Sequence, residues 1–80
     1  MKMKVRDKIE VEWVDAQTLE GFIPFDEVMS TKLITANTCG YFIGQDKEKI
    51  VISFMNFGEY DTKYFQIIPR VLIKKIKVLR

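Results

Sequence analysis

The stretch that decides the fold is KIVISF at residues 49–54, which follows TCGYFIG at residues 38–44. Both runs are rich in the β-branched and aromatic residues that favour strands. The four residues between them, QDKE at residues 45–48, are polar and typical of a turn. Two strand-like runs joined by a short polar connection predict a β-hairpin at the centre of the fold.

Side-chain alternation predicts which residues of the strands reach the core. The predicted core-facing residues are Ile50, Ile52 and Phe54 on the hairpin, Ile9, Val11 and Trp13 on a first strand over residues 8–14, and Ile76 and Val78 on a last strand over residues 73–79. A fourth strand over residues 63–68 ends at Pro69, because proline cannot donate to the ladder. Residues 70–72 then suit a single helical turn. We expect Cys39 to be a small buried residue.

The segment between the first strand and the hairpin, residues 15–37, is long and irregular. Gly21 and Pro24 lie close together in it, which argues against a long regular element. Residues 26–29 fit a short helix capped by Asp26, or equally the returning arm of a long loop. The segment also carries aromatic and aliphatic residues that need a surface to cover. We expect Phe22, Ile23 and Phe25 to cover the open end of a barrel.

Length and composition bound the class of protein. Eighty residues give one domain, and an apolar content of 48% is enough for one core. We expect residues 1–7 to be a flexible basic N-terminus and residues 8–80 to form a single small β-barrel domain. Cys39 is the only cysteine and has no internal disulfide partner, which is typical of the reducing cytoplasm. No apolar run approaches the roughly 18–20 residues that span a bilayer, and no secretory signal is present, so we expect a cytoplasmic protein.

The order of elements resembles that of the small SH3-like and Sm-like barrels. The residues that carry the resemblance are IEVEWV at 9–14, GYFI at 40–43 with IVI at 50–52, and IPRVLI at 68–73. The resemblance implies an all-β fold: a small five-stranded barrel with a long first loop and a single helical turn before the last strand. The overall sequence pattern is also similar to that of small uncharacterised proteins encoded by bacteriophages. This resemblance would place the chain in a bacterial or phage-infected cell, and it implies no activity.

The resemblance implies no particular ligand, because the family signatures for ligands are missing. Peptide-binding SH3 domains carry a tryptophan at the start of the third strand, whereas the only tryptophan here is Trp13 on the first strand. The Asn-Gly or Arg-Gly signature of RNA-binding Sm proteins is absent near Pro69. We therefore expect neither recognition of proline-rich peptides nor RNA binding of the Sm type.

Charge is divided unevenly along the chain. Residues 1–8 carry four basic residues against one acidic residue, residues 9–61 carry three against ten, and residues 62–80 carry six against none. The resemblance implies that the first and last strands are neighbours, which would gather the basic ends. The candidate basic patch for nucleic acid or an acidic partner comprises Lys4, Arg6, Lys8, Arg70, Lys74, Lys75, Lys77 and Arg80. The alternative is a charge-complementary seam, in which Glu10 and Glu12 lie beside the last strand and pair with Lys75 and Lys77 across the sheet.

Catalytic chemistry has no support in the sequence. The chain has no histidine, and Cys39 therefore lacks the usual base that would activate it as a nucleophile. Its glycines do not form a phosphate-binding loop. The carboxylate pairs Asp26 with Glu27 and Glu59 with Asp61 have spacings that arise by chance in any acidic loop. We therefore expect no enzyme, no cofactor and no metal site.

The function that fits these patterns is a binding module. We expect a non-enzymatic small β-barrel that mediates protein–protein interaction or self-assembly, because strand edges and the apolar residues Val14, Val51, Met55 and Leu79 remain outside the predicted core. The candidate partner-facing aromatics are Phe57, Tyr60 and Tyr64, although Phe57 and Tyr60 equally suit a cover over the core. Trp13 has the same two interpretations. The alternative function is a nucleic-acid-binding barrel that uses the basic patch.

Overall fold

The computed structural model describes residues 2–58 and 61–79, and for Asp61 it describes the backbone alone. In chain order the elements are β1 (Lys8–Asp15), α1 (Phe25–Ser30), β2 (Ile34–Gln45), β3 (Lys49–Phe57), β4 (Asp61–Pro69), a 3-10 turn (Arg70–Leu72) and β5 (Ile73–Val78). The five strands, the hairpin and the helical turn before the last strand were all expected from the sequence, and they are confirmed.

The five strands form one antiparallel sheet in the order β4-β3-β2-β1-β5. The fold is therefore all-β, and β1 pairs with β5 as expected. In the described part of the chain β4 pairs only with β3, and β5 pairs only with β1. The sheet is not closed, so the closed barrel that the sequence predicted is not confirmed. Both edge strands present unpaired backbone groups.

One face of the sheet carries the core. The fully or almost fully buried apolar residues are Ile9, Val11, Phe42, Ile50, Ile52 and Ile68, and the half-buried residues packed against them are Met3, Trp13, Ile73, Ile76 and Val78. Burying an isoleucine or valine side chain contributes about 1.5–3 kcal/mol each. The prediction that Phe54 belongs to the core is wrong. Its side chain is 44% exposed, because the buried apolar cluster ends at Ile52 on this strand.

The ladder between β1 and β2 sets the start of β2. All eight residues of β1 pair with β2, from Lys8 opposite Tyr41 to Asp15 opposite Ile34. The strand therefore begins at Ile34, well before the run at residues 38–44 that predicted it. Residues 16–33 are left as a connection between two paired strand ends.

The turn between β2 and β3 is held by one carboxylate. Asp46 Oδ1 accepts hydrogen bonds from the backbone N–H groups of Glu48 at 2.8 Å and Lys49 at 3.0 Å. Asp46 Oδ2 accepts one from Lys49 Nζ at 2.6 Å. The Asp46 N–H donates to the Lys49 carbonyl at 3.0 Å. These bonds lower the pKa of Asp46 to about 2, the Lys49 ammonium contributing most.

Residues 3–7 lie against the sheet. Met3 packs against the core, and the Arg6 N–H donates to the Phe42 carbonyl at 2.6 Å. The Asp7 carbonyl accepts from the Phe42 N–H at 2.8 Å, and Asp7 Oδ2 accepts from the Lys4 N–H at 2.9 Å. The chain turns at Arg6, whose φ is 74°, and then enters β1.

The connection between β1 and β2, residues 16–33, does not cover the core. Phe22 is 109% exposed and Phe25 is 78% exposed, so the prediction that they cover the open end of a barrel is wrong. Helix α1 begins after Pro24 rather than at an Asp26 cap, has no side-chain cap bond and buries none of its residues. The chain measures 52 × 24 × 23 Å with a radius of gyration of 15.9 Å. A compact 80-residue domain would have about 12 Å.

Candidate interaction surfaces

Three surfaces of the molecule could contact a partner. We name them the charged groove (Glu10, Glu12, Asn37, Lys75, Lys77), the β3–β4 outer face (Val51, Met55, Phe65, Ile67) and the apolar arm (residues 16–33). The charged groove and the β3–β4 outer face lie on the side of the sheet away from the core. The apolar arm projects from the end of the β1–β2 ladder.

The charged groove lies across β1 and β5. Glu10 and Glu12 lie beside the last strand, as expected; the register places Glu10 opposite Lys77 and Glu12 opposite Lys75, and the groove between them has a volume of about 170 Å³. Neither pair forms an ion pair within 4.0 Å, and the single one among the described residues joins Lys49 and Asp46. The groove therefore alternates acidic and basic groups that neighbour one another without direct contact.

The structure brings together only part of the predicted basic patch. Lys75 and Lys77 lie on one strand, and the Leu79 N–H donates to the Lys8 carbonyl at 2.8 Å, which continues the β1–β5 pairing toward Lys8. Lys4 and Lys74 are exposed. Arg80 lies outside the described residues.

Two arginines of the predicted patch are engaged elsewhere. The Arg6 guanidinium donates to the Gly58 carbonyl at 2.8 Å. Arg70 Nε donates to the Asp46 carbonyl at 2.7 Å, and its Nη2 donates to Gln45 Oε1. The 3-10 turn therefore places Arg70 against the β2–β3 turn.

Cys39 is exposed, which corrects the prediction that it is buried. It lies opposite Glu10 in the β1–β2 ladder and therefore on the outer face of the sheet. Its Sγ is 3.5 Å from Glu10 Oε2. Desolvation by the surrounding strands, followed by the hydrogen bond and negative charge of Glu10, raises the pKa of the Cys39 thiol.

The β3–β4 outer face, which we also call the grid, is formed by apolar side chains of two paired strands. Val51 lies opposite Ile67, Ser53 opposite Phe65 and Met55 opposite Lys63. Phe65 is 53% exposed and Ile67 is 61% exposed, so the grid is open to solvent.

Ser53 joins the two strands at the centre of this grid. It is fully buried, and its Oγ lies 2.7 Å from the Lys63 carbonyl oxygen and 2.9 Å from the Met55 carbonyl oxygen. The hydroxyl also accepts a hydrogen bond from the Met55 N–H at 3.3 Å. The polar centre of the grid is therefore satisfied internally, and the surface it presents is apolar.

Two of the three predicted partner-facing aromatics lie on the strands that form this grid, Phe57 on β3 and Tyr64 on β4. Phe57 is 43% exposed, and Lys63 Nζ lies 5.2 Å from the centroid of its ring. Tyr64 is 66% exposed, at a backbone position with φ of 58°. Tyr60 lies outside the described residues. Trp13 is a half-buried residue at the rim of the core, and its Nε1–H donates to Thr38 Oγ1 at 3.0 Å.

The apolar arm is the surface that sequence reasoning missed. Its large exposed side chains are Leu19, Phe22, Phe25, Val28, Met29 and Leu33. Its base is closed by a hydrogen bond from Gln17 Nε2 to the Lys32 carbonyl at 2.9 Å. The spacing of Phe25, Val28 and Met29 was a signal that could have identified it, because residues three and four apart share one face of a helix.

The described residues also set limits on other chemistry. Within residues 2–58 and 61–79, no three Cys, Asp or Glu side chains are grouped as metal ligands would be. In the same ranges neither α1 nor the 3-10 turn is long and apolar enough to cross a membrane. Comparison of the chain with protein-family models, with curated proteins and with solved structures gave no match.

Proposed function

We propose that this chain is a non-enzymatic binding module that mediates protein–protein interaction or self-assembly. We further propose that it belongs with the small SH3-like and Sm-like barrels, which the strand order and the 3-10 turn before β5 support. The observation that carries the functional proposal is the apolar arm. It exposes six large apolar side chains in an 18-residue connection, and the helix of this connection buries none of its residues.

The exposed apolar area of the arm is as large as that of a typical interaction patch. Fully burying a phenylalanine removes roughly 150–250 Å² from water. At their observed exposures, Phe22 and Phe25 together therefore offer roughly 300–450 Å². The largest apolar patch on a typical monomer is about 300–600 Å², and such patches commonly mark interaction sites. Two side chains of the arm already reach that range.

Site-specific photo-crosslinking tests this proposal without assuming the partner. A photoreactive phenylalanine analogue at position 25 should give an adduct with a protein, either in the purified chain or in cells that express it. The same analogue at position 47, an exposed residue of the β2–β3 turn, should give none. Equal yields at the two positions, or no protein adduct at position 25 in either setting, would contradict the proposal.

The second candidate function is nucleic-acid binding, favoured by the alignment of Lys75 and Lys77 along β5. The neighbouring Glu12 and Glu10 oppose it, because they reduce the positive potential that a phosphate backbone would meet. Fluorescence anisotropy with labelled oligonucleotides decides between the two. Binding that weakens steeply with salt and is lost in K74E/K75E/K77E, but kept in the turn variant K47E, would favour it; no binding at low salt would remove it.

A further inference from the structure

We propose that the apolar arm of one copy packs on the β3–β4 outer face of a second copy, and that the exchange is reciprocal. This inference rests on the proposed function and names its partner as the chain itself. The juxtaposition that carries it is an acidic apolar arm and an apolar sheet face beside Lys63 on the same chain, and each of them exposes large apolar side chains.

The arm needs a surface to hold its conformation. Helix α1 has six residues, starts at a proline without a side-chain cap bond and buries none of its side chains. Isolated helices shorter than about 12–15 residues are marginal in water, and most helices in proteins are stabilised by packing an apolar face. The face formed by Phe25, Val28 and Met29 therefore requires an apolar surface that its own chain does not supply.

The β3–β4 outer face supplies a surface of matching chemistry. Val51, Met55, Phe65 and Ile67 present a continuous apolar grid that an amphipathic helix can cover. The grid is too far along the sheet to be covered by the arm in its observed position. Ile34, at the base of the arm, and Tyr41, beside the grid, are seven residues apart on β2, or roughly 23 Å at strand spacing.

Charge favours this pairing of surfaces over the alternatives. The arm carries three acidic residues and one basic residue (Glu20, Asp26, Glu27 and Lys32). Strands β3 and β4 carry two basic residues and one acidic residue (Lys49, Lys63 and Asp61), and Lys49 is ion-paired with Asp46. Lys63 is therefore the basic group of this face that the acidic arm can meet. Two arms packing side by side would instead bring like charges together.

The area is sufficient for a stable dimer. In a two-fold exchange each chain gives one arm and receives one, so every contact occurs twice. Two copies of Phe22 and Phe25 contribute roughly 600–900 Å². The other four arm side chains of each copy and the two grids bring the total into the range of about 1,200–2,000 Å² that specific interfaces bury.

Sedimentation velocity of the full chain over a wide range of concentration tests the exchange. We expect the unaltered chain to form a dimer that dissociates on dilution. The arm variant F22S/F25S and the grid variant F65T/I67T should each weaken dimerisation by at least about tenfold. V71S is the matched control, because Val71 is 93% exposed but lies in the 3-10 turn, outside both surfaces, and it should leave dimerisation unchanged.

Mixing the two variants provides the decisive test. The grid variant keeps an intact arm and the arm variant keeps an intact grid, so the mixture should form a heterodimer through one remaining contact, although each variant alone is a monomer. Thermal unfolding of each variant establishes that it is folded. The exchange would be overturned if the mixture formed no heterodimer, or if only one of the two variants lost dimerisation.

The remaining outcomes separate this inference from the proposed function. A dimer that survives both double substitutions would overturn the arm exchange and leave self-assembly intact. A chain that stays monomeric at every concentration would overturn the second copy as partner. The proposed function would then be decided by crosslinking at position 25, whose failure alone would remove it.

Discussion

The sheet and the apolar arm are built from similar apolar content, yet only the sheet buries it. In the sheet, Ile9, Ile50 and Ile52 are fully buried, because they share the core face of strands that are each paired with another strand. In the arm, Phe22 and Phe25 are larger but exposed, because the ladder ends at Asp15 and Ile34. Strand pairing, more than hydrophobicity, decides which residues form the core of this chain.

The largest expected effect is the difference in stability between a substitution in the core of the sheet and one in the arm. Replacing Ile52 by alanine should lower the free energy of unfolding by about 2–5 kcal/mol, because a fully buried side chain leaves a cavity. Replacing Phe25 by alanine in the dilute monomer should change it by no more than about 0.5 kcal/mol. Urea denaturation measures both. A comparable loss from the two substitutions would mean that the arm belongs to the core.

A second prediction compares alanine substitutions at two glycines of the sheet. A Cβ at Gly40 would lie 2.9 Å from the Ser53 carbonyl oxygen, so Gly40→Ala should destabilise the fold by about 1–3 kcal/mol. Gly44 is the matched control, because a Cβ there meets nothing within 4 Å and its backbone conformation is an ordinary one. Thermal unfolding that ranks the two variants equally would contradict the close approach of β2 and β3.

The β2–β3 turn differs from the arm in having a complete set of hydrogen bonds. The folded pKa of Asp46, about 2, lies below its ordinary value of 3.8. Its carboxylate therefore stabilises the folded chain above about pH 4, and this contribution is lost as pH falls toward 2. Asp46→Asn should be slightly less stable than the unaltered chain at neutral pH, and the difference should shrink through this window.

Chemical denaturation at a series of pH values measures this difference. Lys49→Gln removes the largest cause of the lowered pKa of Asp46. The difference in stability between Lys49→Gln and the unaltered chain should therefore shrink over the same pH range as the difference measured for Asp46→Asn. A difference that stays constant from neutral pH down to pH 2 would show that the carboxylate charge contributes nothing.

The smallest expected effect concerns Cys39, which is exposed like the arm but lies in the sheet. Because its thiol pKa is raised, less thiolate is present near neutral pH, and alkylation should be slower than that of a free cysteine peptide. Glu10→Gln removes the neighbouring negative charge and should increase the rate a few-fold at the same pH. A rate that Glu10→Gln leaves unchanged would contradict the contact between the thiol and the carboxylate.

Local patterns predicted most of the sheet. The alternation around Ile9 and Val11, the hairpin around Ile50 and Ile52, and the proline before the 3-10 turn act over a few residues, so the sequence reveals them directly. The position of Glu10 and Glu12 beside Lys75 and Lys77 followed from the expected neighbourhood of the first and last strands, whereas the individual pairs are set by the observed register.

The errors lie where position depends on distant parts of the chain. Composition predicts a small buried Cys39, and only its pairing with Glu10 shows that it lies on the outer face. The contacts of Arg70 with the β2–β3 turn could not be predicted, because they join residues 24 and 25 positions apart. The prediction that Phe22 and Phe25 cover the open end of a barrel is wrong, because sequence pattern cannot show whether a long connection reaches the surface that its composition requires.

Hydrogen exchange at several protein concentrations tests whether the arm packs on a second chain. We expect the amides of residues 25–30 to be protected at high concentration and to exchange rapidly on dilution, while the amides of residues 50–52 stay protected throughout. Rapid exchange of residues 25–30 at every concentration would contradict packing on a second copy. Protection that persists at high dilution would contradict it too, because the arm would then be held by its own chain.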